Sequence, residues 1–95
     1  MITQYTEQQI RLIAARVLEL KEYDMLIQQE ELEVLAFKCR DKVDPETMII
    51  GIRSVWRDLF SNCGFSLYEG LRWFALCAKP ETWILAAAKA KGVEI

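Results

Sequence analysis

Residues 44–64 read DPETMIIGIRSVWRDLFSNCG, and this stretch decides the fold class. Asp44 can cap a helix, Pro45 suits the first helical position, and Glu46 follows in the first turn. Met48, Ile52, Val55, Trp56, Leu59, Phe60 and Cys63 then recur at spacings of three and four. That period belongs to one buried face of a helix. Gly64 offers a left-handed stop, so the spacing predicts a helix from the Asp44 cap to Gly64.

The same grammar extends outward in both directions. Upstream, Thr6 and Gln9 form a capping box for a helix carrying Ile10, Ile13, Ala14, Val17 and Leu18. It is expected to end near Lys21, although no glycine or proline marks the stop, and Tyr23 and Asp24 then form a turn or continue the helix. Glu30, Glu31 and Glu33 place charge at the start of the next helix, whose main face is Leu32, Leu35, Ala36, Cys39 and Val43. Val34 and Phe37 point elsewhere, so this helix is apolar on two sides. Downstream, Ser66 and Glu69 open a helix through Leu67, Leu71, Phe74, Ala75 and Ala78. Pro80 ends it and starts another, with Glu81 in its first turn and Trp83, Ile84, Ala87 and Ala88 before Gly92.

No stretch shows the β-branched alternation of a strand, and no repeat, linker or low-complexity tract interrupts the pattern. The expected fold is all-α: a compact four- or five-helix domain, bundle-like or orthogonal, spanning residues 1–95.

Composition narrows the function classes. The chain has 95 residues, 53% hydrophobic and 27% charged, which excludes intrinsic disorder. No apolar run approaches the ~18 residues of a membrane span, and no basic start precedes an apolar core as in a signal peptide. A net charge of −2 argues against a nucleic-acid phosphate partner, which needs a basic face. With no histidine, His-based metal sites and Ser-His or Cys-His nucleophile pairs cannot form. Cys39, Cys63 and Cys77 are odd in number, far apart and set in apolar segments. They read as buried structural thiols in a reducing, cytoplasmic setting. No catalytic residue, metal site, cofactor or small-molecule substrate is expected.

Several constellations invite a sharper reading. The turn Cys63-Gly64-Phe65-Ser66 has the shape of a helix-turn-helix corner. The helix after it would present Leu67, Tyr68, Glu69 and Arg72 to DNA, an apolar and partly acidic head, and Phe60 sits where such motifs need a small residue. Gln28-Gln29-Glu30-Glu31-Leu32 has the look of a repressor helix opening, but the glycine turn it would need is missing. Glu30, Glu31 and Glu33 spread around a solvated helix start and do not converge on a cation.

Charge and aromatic placement say more. Residues 1–47 carry ten acids and six bases, whereas residues 48–95 carry four acids and six bases. Arg53 and Arg57 lie one turn apart on one face. Seven of the ten aromatics fall between Trp56 and Trp83. Trp73 stands off the stripe that Leu71, Phe74 and Ala75 define, beside Tyr68, Arg72 and Leu76, and Trp, Tyr and Arg are the usual anchors of a binding surface. The expected function is a non-enzymatic protein-interaction module, an adaptor, assembly chaperone or inhibitor, forming a homodimer. Its interface would be Tyr68, Arg72, Trp73 and Leu76, with Arg53 and Arg57 as electrostatic neighbours. The alternative is a helix-turn-helix-like transcriptional or nucleic-acid-associated regulator, supported by the Gly64 turn and the more basic second half.

Overall fold

Proline and aspartate set the start of the longest helix as their sequence order implies. In the computed structural model, which describes residues 5–60 and 66–93, Asp44 accepts hydrogen bonds from Thr47 N (3.0 Å) and Thr47 Oγ1 (2.7 Å). The hydroxyl bond, and then the backbone bond, hold the Asp44 carboxyl below its usual range. The order of elements is α1 (Glu7–Leu18), α2 (Met25–Gln29), α3 (Leu32–Asp41), α4 (Pro45–Leu59), α5 (Leu67–Cys77) and α6 (Pro80–Lys91). No strand occurs among the described residues, and the fold is all-α.

The helix beyond the expected four or five is α2. Five residues are too few to show a period, so nothing but its cap could betray it: Asp24 Oδ1 accepts from Leu26 N at 2.9 Å. Arg11, half-buried on α1, closes the other end by donating to the carbonyls of Ile27 (2.8 Å) and Glu30 (2.7 Å). A cation at the unpaired carbonyls of a helix end also meets the negative pole of its dipole.

α1 stops at Leu18, short of Lys21, because Glu19 takes the left-handed conformation (φ 58°) that glycine usually occupies. Leu20 N donates to the Ala15 carbonyl at 2.9 Å, and Lys91 Nζ, from the far end of the chain, donates to the Val17 carbonyl at 3.0 Å. α4 ends at Leu59; Cys63, the Gly64 stop and Phe65 lie outside the described residues. Leu59, expected on the buried stripe, is exposed, while Met48, Ile52, Val55 and Trp56 are buried as the period implies.

The last helix occupies the centre. Ile84, Leu85, Ala86, Ala87 and Ala88 are five consecutive buried residues, so α6 is covered on nearly every side. It packs against α4, α3 and α1, whereas α5 leans on α4 and α2 on α1. Such a helix needs neighbours that come close, and α4 meets it at Gly51. A Cβ placed on Gly51 would overlap the Ala86 carbonyl oxygen and press on the Ala90 Cβ. Lys89 and Asp58 add an ion pair of 3.1 Å across the same two helices.

Glycine inside a helix normally weakens it by about 1 kcal/mol relative to alanine. Here the sign should reverse. Gly51→Ala is expected to lower stability by about 1–3 kcal/mol, the usual cost of overpacking. Denaturant unfolding measures this directly, and an unchanged or raised midpoint would show that α4 and α6 do not meet so closely.

Candidate protein-interaction face

α5 has the sequence LYEGLRWFALC, in which Glu69 and Arg72 are the charged residues. A helix this apolar all round cannot declare its buried side through its period. The expected stripe of Leu67, Leu71, Phe74, Ala75 and Ala78 is rotated from the real one. Leu67 and Leu71 are 48% and 40% exposed, and Ala75 is exposed too. Gly70 and Phe74 are buried, with Trp73 half-buried beside them.

That rotation reassigns Trp73. Its ring lies 5.6 Å from Phe60 and 6.2 Å from Trp56, both edge-on, and 5.3 Å from Phe74. Trp56 and Phe60 are 4.5 Å apart, and Phe74 meets Trp83 at 5.0 Å. Edge-to-face contacts of this kind add to the area the rings bury. The cluster joins α4, α5 and α6, with Trp73 and Phe74 as its members from α5. Trp73 therefore does not share the outer face with Tyr68, Arg72 and Leu76.

Those three do stand together. At spacings of four they run along the outside of α5, with Tyr68 73% and Leu76 72% exposed. Arg53 and Arg57 are exposed on α4, the helix that carries α5. Of the interface residues expected from sequence, Tyr68, Arg72 and Leu76 form one surface, Arg53 and Arg57 lie on the adjoining helix, and Trp73 turns inward.

Leu71 leads from this surface into an open groove of about 430 Å³, lined with Val43, Met48, Ile49, Ile52 and Trp83. A second groove, of about 270 Å³, lies between α3 and the start of α6. Arg40 divides the two, its guanidinium 4.7 Å from the Phe37 ring and 5.8 Å from that of Trp83. Sequence reasoning missed this arginine, because Phe37 and Trp83 meet only once α3 and α6 have packed.

The thiols divide as well. Cys39 is buried, and burial pushes its thiol up to about 12, which keeps it protonated and inert. Cys77, expected to be buried, is exposed at the end of α5, and Cys63 lies outside the described residues. Among the described residues no three cysteine or carboxylate groups converge as a metal site would need. No helix described is long and apolar enough to cross a membrane. No family model matches this chain, and neither a curated protein nor a solved structure does.

Two measurements check these placements. Trp73→Ala should cost about 2 kcal/mol of stability, roughly half of a fully buried tryptophan truncation; a melting temperature equal to that of the parent would return Trp73 to the outer surface. A thiol reagent should label Cys77 quickly in the native protein and reach Cys39 only after unfolding. Rapid native labelling of Cys39 would contradict its burial.

Proposed function

We propose that the chain is a small, non-enzymatic helical interaction module that docks through the outer face of α5 and associates there with a second copy. One observation carries the reading: an eleven-residue helix leaves Leu67, Tyr68, Leu71 and Leu76 exposed at 48%, 73%, 40% and 72%. Scattered surface leucines need no explanation, but a contiguous apolar face rimmed by polar groups marks a binding surface. Tyr68 and Arg72 supply the residue types that dominate such surfaces. The free thiols Cys39 and Cys77 suit a reducing, cytoplasmic setting.

The same face is poorly suited to nucleic acid. A base-reading helix presents Arg, Asn, Gln or Ser, and phosphate binding needs a surplus of cations. α5 offers one arginine alongside one glutamate, surrounded by leucine and tyrosine.

Light scattering at micromolar concentration should give at least twice the chain mass. Leu76→Glu should leave the melting temperature unchanged and weaken association by about thirtyfold, corresponding to ~2 kcal/mol at a hot spot. A parent chain that stays monomeric at tens of micromolar would overturn self-association. An undiminished affinity in the variant would overturn the α5 face.

A further inference from the structure

Between α1 and α3 the chain forms a segment whose backbone bonds close on itself. The N–H groups of Asp24, Ile27, Gln28 and Glu30 donate to carbonyls of Lys21, Asp24, Asp24 and Leu26, and Leu26 N donates to Asp24 Oδ1. Gln28 Nε2 donates to the Glu22 carbonyl at 2.7 Å, inside the same segment. Irregular backbone flanks it on both sides. Glu19 is left-handed, and Glu30 and Glu31 are extended, with ψ of 150° and 149°. The five residues of α2 cannot hold a helix by themselves, because isolated helices shorter than ~12–15 residues are marginal in water.

Packing and one side chain from α1 hold the segment down. Ile27 is fully buried and Leu26 half-buried, whereas Tyr23, Met25, Gln28 and Gln29 are exposed. Leu26 lines an open groove on each side, one of about 560 Å³ toward Glu31 and Val34, the other of about 480 Å³ toward Leu18 and Lys38. α2 therefore rests on α1 with open space along both flanks. The side chain that reaches it is Arg11, only 13% exposed. One terminal nitrogen donates to the carbonyls of both Ile27 (2.8 Å) and Glu30 (2.7 Å), and Nε pairs with Glu7 at 3.3 Å. Water can replace each of these partners once the segment lifts, so the hold is reversible. We propose that residues 21–30 are a strap that opens as one unit while the α6-centred core stays folded, with Arg11 as its clasp. Opening bares the seat of Ile27 on α1 and runs the two flanking grooves together. Stability is then layered: few buried apolar groups and self-contained hydrogen bonds put the strap at the low end of the molecule's opening energies.

Native-state hydrogen exchange, read residue by residue at low denaturant, tests this on the parent chain first. The amides of Ile27, Gln28 and Glu30 should exchange through an opening that denaturant barely accelerates, because little surface is exposed. Those of residues 85–88 in α6 should exchange only through global unfolding. Ile84→Val removes a buried methylene from the core and leaves the strap untouched. It should speed exchange in α6 by about threefold or more and leave the strap amides at the parent's rates. Arg11→Met keeps an apolar stem and removes the donors; it should speed the strap amides by about tenfold, the scale of one lost hydrogen bond to a charged group.

Strap amides as protected as those of α6 in the parent, or not protected at all, would overturn the independent opening. So would an Ile84→Val chain in which strap and α6 accelerate together. Strap rates unchanged in Arg11→Met would show that Arg11 is not the clasp. Should Arg11→Met fail to fold, the parent and Ile84→Val measurements still decide whether the strap opens alone.

Discussion

The close approach of α4 to α6 at Gly51 is the constraint on which the other contacts rest. A helix buried on nearly all sides must be surrounded at short range, and α6 achieves this with alanines at 86, 87 and 88 and a glycine opposite. Small residues on both helices bring the two backbones together, so that dispersion contacts accumulate along their length. Once α4 is fixed against α6, Asp58 and Lys89 lie within 3.1 Å, and Trp56 and Phe60 are positioned to receive the α5 rings. α1 is tied to the same centre by Lys91, which satisfies one of its terminal carbonyls. The hierarchy of packing runs outward from α6, with α2 resting on α1 and α5 on α4.

That hierarchy explains what sequence could disclose. Helix starts are written locally, so Thr6, Asp44, Ser66 and Pro80 were legible as caps or first-turn residues before any packing was known. Helix ends are less local. Glu19 stops α1 without glycine: Leu20 N closes the turn on the Ala15 carbonyl, and the Val17 carbonyl is met by a lysine from the final helix. Gly51 reads in sequence as a mild helix weakener; its purpose appears only when the chain some 35 residues later lies against it.

The candidate site was legible in part, and the part that failed has a physical cause. For α4, polar residues such as Arg53, Arg57 and Asp58 leave one choice of buried face. α5 has only Glu69 and Arg72 to orient it, so two stripes a small rotation apart were almost equally apolar. Aromatic contact with Trp56 and Phe60 selected Gly70, Trp73 and Phe74. The same ambiguity that misplaced Trp73 is what leaves the outside of α5 so apolar. A helix with one buried side usually carries polar residues at positions such as those of Tyr68, Leu71 and Leu76.

Three cations tie parts of this fold together at or near its surface. Arg11 is drawn in to cap α2, Lys91 reaches the end of α1, and Arg40 lies between two rings. Each such placement satisfies a carbonyl dipole or an aromatic face, while Arg11 also pairs with Glu7 at 3.3 Å and Arg40 with Asp41 at 4.0 Å. Glu22, Glu31 and Glu33 face solvent. On the other side, Lys89 pairs with Asp58 at 3.1 Å across α6 and α4. The four most exposed large apolar side chains described are Tyr23 and Met25, at the turn into α2, and Tyr68 and Leu76 on α5. Apolar area supplies affinity without direction; the charges around it decide which surface can meet it.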